Sequence, residues 1–401
     1  MLPMTFTMPL PVISFHNSSL DSPDTPGMLH CYVHIPFCRN RCSYCDFFLI
    51  TREGFQEPFF RALREETRSR AILLEGRTIR SVHFGGGTPS LVDPRHLEAW
   101  LNQVAGYATF HPELEITLEA NPEDLTPQSL ALWSSIGVNR LSIGIQSYNS
   151  RKLHALGRDH DALCARRVTG EAMERFRNVS VDLICGVEGE SSALWGADLD
   201  DALSFGLQHL SVYMLTVEPS TRLARDVSKG LVQVPGEGEL ASMYSIASER
   251  LSSSGFEHYE VSNFARAGCF SRYNMGCWQR ESYLGFGPSA HSLYTLGAAE
   301  WRSANVTSLT RYIAEPRELS SQREFLSEKD RRNEQIFLSL RLKTGLDAGL
   351  LQRWHSFDPR IDAAVDAFRQ RGWLDVNGRT LKVTRKGFLF ADLIAEELLL
   401  G

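Results

Sequence analysis

Short apolar segments alternate with longer amphipathic ones along the first three-quarters of the chain. This alternation predicts strands joined by helices, and therefore parallel strands with right-handed crossovers. The predicted strands are 29–35, 80–84, 114–119, 140–145, 179–184 and 208–214. The predicted helices lie around 55–74, 94–107, 127–136, 160–176, 191–204 and 237–254. Near-continuous apolar runs, such as the one at 141–145, are typical of strands that are buried on both faces.

Chemically distinctive residues follow the carboxyl ends of these predicted strands. In chain order they are a loop with three cysteines, the run Gly85-Gly86-Gly87-Thr88-Pro89, and then Glu119, Gln146, Asp182 and Thr216. A barrel gathers such residues on one face, at the carboxyl ends of its strands. We therefore expect a mixed α/β fold built on a partial (β/α)6 barrel, rather than a doubly wound sheet.

The pattern changes after about residue 300. Helices are predicted over 328–343, 346–354 and 360–371, followed by a hairpin that turns at Asn377-Gly378 and a last helix over 385–399. This order resembles a winged-helix fold. Asp362 and Asp366 interrupt the basic residues of its third helix, so we expect this unit to dock on the barrel rather than bind DNA. The predicted divisions are a disordered leader at 1–27, a barrel at 28–300 and a winged-helix-like α+β domain at 320–401.

Composition narrows the class of protein. The chain has 401 residues, a net charge of −6 and 8 cysteines. The acidic balance argues against a nucleic-acid or anionic-membrane binder, and the few, unevenly placed cysteines favour metal binding in a reducing cytoplasm over a disulfide scaffold. No segment is long enough to span a bilayer. The stretch 1–30 contains no Lys or Arg, which argues against a signal or transit peptide, and we expect the working protein to start at or near Met28.

Cys38, Cys42 and Cys45 form a C-x3-C-x2-C motif. Thiolates are soft ligands that favour iron–sulfur clusters, zinc or copper. Three of them in one loop can hold three irons of a cubane cluster and leave the fourth iron open for chemistry. Zinc would need a fourth ligand, such as His34 or a distant cysteine, but no second C-x-x-C or H-x3-H pair follows downstream. A cluster is therefore the favoured interpretation, with a zinc site as the alternative.

The segment Tyr32-Val33-His34-Ile35-Pro36-Phe37-Cys38, followed by Cys42 and Cys45, resembles the radical S-adenosylmethionine (SAM) superfamily. The more specific resemblance is to oxygen-independent coproporphyrinogen III oxidase (HemN) and to the related heme chaperone HemW. It runs from about Leu29 to the C-terminus. The resemblance implies a 4Fe-4S cluster held by the three cysteines, with SAM bound at the open iron.

The resemblance also implies a set of SAM contacts. Those expected are Tyr32 and Tyr44 beside the cluster, Gly86, Gly87 and Thr88 at the methionyl end, Glu119 at the ribose hydroxyls, and Gln146, Arg158 and Asp182 as further contacts. Glycines are expected at the methionyl end because side chains there would block the close approach of the ligand. The protein's task in this superfamily is to bind and orient the cofactors and to exclude side reactions.

Two features favour the heme chaperone over the oxidase. The oxidase motif carries a fourth cysteine two residues after the third, where this chain has Phe47. The oxidase also has a long N-terminal arm, whereas the leader here is short and shows no helical pattern. The resemblance therefore implies a cytoplasmic protein that binds heme and passes it to an unidentified acceptor protein, with a flavodoxin- or ferredoxin-type electron donor. The alternative is an enzyme that oxidatively decarboxylates coproporphyrinogen.

The heme-associated motif of HemW, His-Asn-x-x-Tyr-Trp, is altered in this chain. Residues 273–278 read Tyr-Asn-Met-Gly-Cys-Trp, so Tyr273 replaces the histidine and Cys277 the tyrosine. Tyr and Cys can both ligate heme iron, and His258 and His291 are alternative ligands elsewhere in the chain. The alternative interpretation is that Cys277 is a small buried hydrophobic residue and does not ligate heme iron.

Overall fold

The computed structural model describes residues 27–296, 299–317 and 320–401. The predicted disordered leader lies, apart from Gly27, outside the described residues. The first strand begins at Met28.

Six parallel strands form the centre of the fold, and each corresponds to a predicted strand. They are β1 (Met28–Ile35), β2 (Thr78–Gly86), β3 (Thr109–Ala120), β4 (Arg140–Gln146), β5 (Asn178–Cys185) and β6 (His209–Met214). They pair in chain order, and every pair is parallel. Residues that follow β1 and residues at the end of β6 line the same cavity, which requires the sheet to curve into a partial barrel. The predicted α/β barrel class is confirmed.

Helices connect these strands and cover the outside of the barrel. They are α1 (Gln56–Ser69), α2 (Pro94–Ala105), α3 (Pro127–Ser135), α4 (Ser150–Leu156), α5 (Ala162–Arg175), α6 (Ser192–Ser204), α7 (Arg222–Ser228) and α8 (Glu237–Ser253), with 3-10 turns at Ala71–Leu73, Pro89–Leu91 and Pro122–Asp124. The helix predicted over 55–74 ends earlier, at Ser69, and one of the 3-10 turns follows it. The sequence pattern did not predict α4 or α7, which are only 7 residues long.

The sheet extends beyond the six predicted strands on both sides. The additional elements are β7 (Glu257–His258), β8 (Asn263–Ala265), α9 (Arg272–Trp278), β9 (Tyr283–Phe286), β10 (His291–Leu296), β11 (Ala299–Asn305), α10 (Leu309–Ala314) and β12 (Ser320–Phe325). The strand order is β12-β11-β10-β9-β1-β2-β3-β4-β5-β6-β8-β7. The expectation of six strands was therefore incomplete, and the sheet continues past residue 300. These strands are short and mostly antiparallel, so they lack the strand–helix alternation on which the prediction rested.

The barrel strands have an apolar outer face and a polar inner face. On β1, Cys31, Val33 and Ile35 are fully buried in the core between sheet and helices. The alternate residues of β1 are His30, Tyr32 and His34. A strand turns successive side chains to opposite faces, so these three point inward.

The same alternation of apolar and polar residues occurs in β4, so the run 141–145 is not apolar on both faces, as its sequence suggested. Both faces of β4 are largely buried, as predicted, but the inner face is not apolar. Ser142 donates a hydrogen bond to Asp182 of β5 over 3.3 Å, and on the next pair of strands Ser180 lies 2.7 Å from His209 Nδ1. Polar side chains therefore pair with one another across the inside of the barrel, because a buried polar group without a partner is unfavourable.

The amino-terminal end of the barrel is closed by the segment that leads into α9. Arg140 Nη1 donates to the backbone carbonyl of Cys269 over 3.0 Å and lies 3.6 Å from Glu115. The backbone N–H of Arg272 donates to Glu115 Oε1 over 2.7 Å. This closure leaves the opposite, carboxyl-terminal end of the barrel as the open one.

The C-terminal part forms a small unit with its own hydrophobic core. Its elements are α11 (Glu328–Ser339), β13 (Leu346–Asp347), α12 (Ala348–Trp354), α13 (Pro359–Gln370), β14 (Leu374–Asn377), β15 (Thr380–Val383), a 3-10 turn at Gly387–Phe390 and α14 (Ala391–Glu397). The predicted order of three helices, hairpin and helix is confirmed, although the last helix is split. The unit docks on the barrel, since Val261 N–H donates to Arg341 O over 3.1 Å and Phe388 packs on the His258 ring.

No helix in the described ranges is both long enough and apolar enough to cross a lipid bilayer.

A buried carboxylate ties α1 to the far side of the sheet. Glu66 has an exposed fraction of 0 % and accepts hydrogen bonds from Arg70, Asn305, Tyr312 and the Gly287 N–H over 2.7 to 2.9 Å. These donors come from α1, from the loop after β9, from β11 and from α10. One side chain therefore joins four separate parts of the fold.

Replacing this carboxylate should destabilise the protein strongly. We expect Glu66→Ala to lower the free energy of unfolding by about 3–5 kcal/mol, because it leaves the buried Arg70 charge without its partner. Urea denaturation followed by circular dichroism measures the change. The matched control is Glu65→Ala, which removes ion pairs with Arg68 and Arg317 at the surface and should destabilise the protein far less. Equal losses in the two variants would contradict this account.

Candidate functional site

A cavity of about 640 Å³ opens at the carboxyl ends of the barrel strands. Its volume lies within the range of roughly 300–1,000 Å³ that is usual for small-molecule sites. All the site residues predicted from the sequence line it except Tyr32: Cys38, Cys42, Tyr44, Cys45, Gly86, Gly87, Thr88, Glu119, Gln146, Arg158 and Asp182. The fold thus brings together residues from β2, β3, β4 and β5, from the loop after α4 and from the cysteine loop.

The cysteine loop is pinned at its base to the end of β1. Ile50 N–H donates to Pro36 O over 2.6 Å, and Cys38 N–H donates to Ile50 O over 3.0 Å. Within the loop Cys45 N–H donates to Cys42 O over 3.3 Å, and His34 Nε2 lies 2.8 Å from the Phe48 carbonyl oxygen. Backbone hydrogen bonds at its base and packing of Tyr44, Phe48 and Ile50 therefore hold the loop over the barrel.

The three loop thiols are free and have polar neighbours that suit a metal centre. Cys38 Sγ lies 3.2 Å from Thr88 Oγ1, and Arg158 Nη1 lies 3.6 Å from Cys42 Sγ. Burial raises the pKa of the Cys38 thiol to about 11, so a metal must displace its proton on binding. Arg41 Nη1 also donates to the Cys45 carbonyl oxygen over 3.2 Å, so two cations lie beside the loop. Three thiols with neighbouring cations fit a negatively charged iron–sulfur cluster.

The zinc alternative finds less support. Within the described part of the chain, no group of three or more His, Cys, Asp or Glu side chains converges so that it could hold a single metal ion. Structural zinc needs four ligands around one point, whereas a cubane cluster distributes its ligands over separate irons. The thiol arrangement therefore favours the cluster.

The glycine run after β2 is required by contacts within the protein. Gly86 has a φ of +108°, and a Cβ there would lie 2.6 Å from His34 Nδ1. A Cβ on Gly87 would lie 2.7 Å from the Phe37 carbonyl oxygen, and one on Gly85 2.9 Å from Glu119. The close approach of a ligand, which the sequence suggested as the reason for these glycines, is not needed to explain them.

Glu119 lies at the centre of the polar wall and is held by two donors. His83 Nε2 is 2.9 Å from Oε1, and the Gly86 N–H donates to Oε2 over 3.1 Å. Burial opposes ionisation of this carboxyl, but the hydrogen bonds from His83 and Gly86 outweigh it and hold the pKa of Glu119 below its usual value. At neutral pH the side chain is a carboxylate that can accept further hydrogen bonds from a ligand.

Asp182, on the same wall, has the opposite behaviour. Burial raises its pKa to about 6, with a smaller contribution from the nearby Glu119 carboxylate, while hydrogen bonds from Ser211 and Ser142 oppose the rise. Two acidic side chains in one cavity therefore differ in their protonation behaviour. One remains ionised throughout the neutral range, and the other takes up a proton under mildly acidic conditions.

Two further residues of the wall carry buried polar atoms with no partner among the described residues. These atoms are Gln146 Oε1 and Arg158 Nε. Gln146 also has a φ of 63°, an uncommon conformation for a residue other than glycine. Arg158 is fixed by hydrogen bonds from Nη2 to Asn121 Oδ1 and to the Gly144 carbonyl oxygen. Backbone strain and unpaired buried groups concentrate at ligand sites, so both features support a binding role for this wall.

Sequence reasoning missed several residues of the cavity. Asn121, Ser142 and Tyr213 line it, and His83 supports it from behind Glu119. Every second residue of a strand points to the same face. Ser142 and Tyr213 could therefore have been predicted to point inward, because they lie two residues after Arg140 and Ser211, which also point inward.

Tyr32 lies deeper in the barrel, below the cavity. Its hydroxyl is 3.1 Å from His34 Nδ1, and its ring stacks on Tyr273 with 5.7 Å between the ring centroids. Tyr273 and Cys277, the altered positions of the heme-associated motif, lie on α9 and do not line the cavity. Burial raises the pKa of the Cys277 thiol to about 12, so this thiol carries its proton at neutral pH when no metal is bound.

The two alternative histidines have different surroundings. His258 stacks on Phe264 at 4.0 Å between ring centroids and bonds to the Tyr244 hydroxyl over 3.1 Å, so it has a structural role. His291 is exposed on β10. Neither lines the cavity, and the arrangement does not assign an axial heme ligand.

The mouth of the cavity carries one exposed aromatic side chain among polar ones. Phe47, at the position where the oxidase motif has its fourth cysteine, is 65 % exposed and lines the cavity together with Asn40, Asp46 and Thr216. Ile184, Met214 and Leu215 also line the cavity, and Ile184 and Leu215 are buried. The cavity thus combines a polar wall with a few apolar side chains, of which Phe47 is the exposed one.

Comparisons with known proteins agree over most of the chain. A family model of the Radical SAM superfamily matches residues 32–202, and one of the HemN C-terminal domain matches residues 326–390. Heme chaperone HemW of Mycobacterium tuberculosis is 35% identical over 378 residues, covering 92% of this chain and 94% of the relative. HemW of Lactococcus lactis is 31% identical over 381 residues, covering 92% and 97%.

Similarity extends to a eukaryotic protein and to a solved structure. The mitochondrial radical S-adenosyl methionine domain-containing protein 1 of Danio rerio is 34% identical over 387 residues, covering 92% of this chain and 86% of the relative. The structure of coproporphyrinogen III oxidase (HemN) from Escherichia coli matches with a TM-score of 0.79 and 22% identity, covering 93% of this chain and 90% of that chain. The structural likeness shows a shared fold.

The raised pKa of Asp182 predicts a pH-dependent loss of stability. In the folded protein the Asp182 carboxyl keeps its proton up to about pH 6, whereas an ordinary Asp loses its proton near pH 3.8. The stability of the fold should therefore fall as pH rises through this window. We expect Asp182→Asn to melt increasingly higher than the unaltered chain between pH 4 and 7, measured by differential scanning fluorimetry on cluster-free protein. Asp375→Asn, at an exposed position on β14, is the control and should show no such trend. A melting difference that is constant with pH would refute the assignment.

Proposed function

Because the chain belongs to the radical SAM superfamily and, within it, to the HemW-like family, we propose that it is a heme chaperone that holds a 4Fe-4S cluster and SAM in its barrel. The observation that carries this proposal is the single cavity in which three free thiols face a wall of acceptor and donor side chains. In this proposal Cys38, Cys42 and Cys45 ligate the cluster, which supplies an electron for the cleavage of SAM when both are bound.

The polar wall has the groups that SAM requires. The ionised Glu119 is an acceptor for ribose hydroxyls, and Arg158 is a cation beside the thiols that balances their charge. The unpaired Gln146 Oε1 gives an acceptor for a ligand N–H. The orientation of SAM in this proposal therefore follows from hydrogen bonds with fixed side chains, and the closed amino-terminal end of the barrel excludes water from below.

The exposed ring of Phe47 supports heme as the cargo. It offers flat aromatic surface next to the polar wall, and aromatic surface of this kind suits a large planar ring. The curated relatives that carry the name heme chaperone cover nearly the whole chain, which supports the same function. We propose transfer of this heme to an acceptor protein in the cytoplasm, with a flavodoxin- or ferredoxin-type protein as electron donor.

The oxidase remains the second candidate because the fold matches that of HemN. Phe47 is the feature of this chain that argues against it, since the fourth cysteine of the oxidase motif is missing. The oxidase would release carbon dioxide from coproporphyrinogen, whereas a heme chaperone would only bind heme, so both functions can be tested on one sample.

Heme titration of anaerobically reconstituted protein tests the proposal. We expect saturable one-to-one binding, followed by absorbance, and no release of carbon dioxide from coproporphyrinogen III in the same sample. Phe47→Ala should weaken heme binding about tenfold, because it removes exposed aromatic area that a bound heme would cover. The control is Phe357→Ala, which alters a phenylalanine of similar exposure outside the cavity. Decarboxylation with weak heme binding would make the oxidase the correct function.

The cysteine loop should contribute metal ligands and little stability. We expect Cys42→Ala to lose cluster iron and sulfide while it keeps its circular dichroism spectrum, because the loop is held by backbone bonds at its base. Cys164→Ala, on the partly exposed face of α5, should retain a full cluster. Unfolding of the Cys42 variant would instead indicate that the loop has a structural role.

A further inference from the structure

The Glu119 carboxylate is held by a buried histidine of the neighbouring strand. His83 lies opposite Thr117 in the β2/β3 register, so its ring reaches diagonally along the inner face to Glu119, two residues further on. His83 Nε2 and the Gly86 N–H each contact one oxygen of the carboxylate. A carboxylate accepts about four hydrogen bonds, so one position remains on each oxygen for a ligand.

The geometry determines which nitrogen of His83 carries the proton. An ionised carboxylate only accepts hydrogen bonds, so the proton must be on Nε2. The other nitrogen, Nδ1, is buried and has no partner in the described part of the chain. The ring is fixed by packing instead, with centroids 5.9 Å from the Tyr32 ring and 4.9 Å from the Tyr273 ring.

We propose that His83 is a positioning residue, which orients Glu119 so that its free lone pairs face the ribose diol of SAM. Two adjacent hydroxyls bond to one carboxylate at a lower entropic cost when its plane is already fixed, and a single donor at Gly86 would leave the carboxylate freer to rotate. Tyr273 supports the ring from behind, so α9 contributes to the SAM site through packing and without contacting the cavity. This inference rests on the proposed function, since it requires that SAM binds in the cavity.

Calorimetric titration of SAM into the anaerobically reconstituted full chain tests the role. His83→Phe keeps the ring shape but removes the donor, and we expect it to raise the dissociation constant for SAM about tenfold, the typical effect of losing one hydrogen bond to a charged group. His83→Gln places an amide N–H near the original Nε2 and should bind SAM almost as the unaltered chain does. His83→Asn, which has the same polarity but a shorter reach, should behave like His83→Phe.

A double-mutant cycle shows whether His83 acts through Glu119. Glu119→Gln alone should weaken SAM binding, and adding His83→Phe to it should cause no further loss. Additive losses would overturn the proposal, because they would mean that His83 acts independently of the carboxylate. Cluster iron and the melting temperature are measured for every variant. Should His83→Phe fail to fold, the comparison of His83→Gln with His83→Asn decides the question by itself.

The experiment separates this inference from the proposed function. If the unaltered chain takes up its cluster but binds no SAM, the proposed function fails and this inference fails with it. If the unaltered chain binds SAM and His83→Phe binds it equally well, only the positioning role of His83 is overturned.

Discussion

The polar inner face of the six-stranded barrel is the constraint on which the rest of the structure depends. Buried polar groups must find partners, and this chain supplies them across neighbouring strands, as in the pair Ser180–His209. The segment before α9 supplies partners at the amino-terminal end and closes it. At the carboxyl-terminal end, Gln146 and Arg158 keep buried atoms that the described residues leave unpaired. The contacts of Arg140 and Glu115 thus close one end of the barrel, and the proposed ligand site lies at the other.

Much of the barrel and of its site could be predicted because the relevant patterns are local. Each apolar run is followed by an amphipathic helix, and residues such as Glu119 and Gln146 come directly at strand ends. Strands β7 to β12 could not be predicted in this way, because most of them pair at sheet edges that exist only once the barrel has formed. His83 was missed for a related reason. Its role depends on the β2/β3 register, which brings it to Glu119 and which chain position does not reveal.

Membership of the family does not by itself establish which residues of this chain contact a ligand. The sequence places Tyr273 where the family motif has histidine, and the structure packs its ring between Tyr32 and His83 rather than in the cavity. The aromatic ring at this position therefore packs inside the barrel, and the heme contact that we propose is Phe47 at the mouth of the cavity. The glycines after β2 likewise do not by themselves indicate a ligand site. Gly86 and Gly87 are required by the neighbouring protein atoms, so they would be needed whether or not a ligand is present.

The central claim is that one cavity holds both the cluster and SAM. Electron paramagnetic resonance of the reduced, reconstituted protein tests this claim most directly. Adding SAM to the sample should change the g values of the cluster signal, because in this account SAM would bind at the iron that has no cysteine ligand. An iron–sulfur signal that is identical with and without saturating SAM would contradict the account.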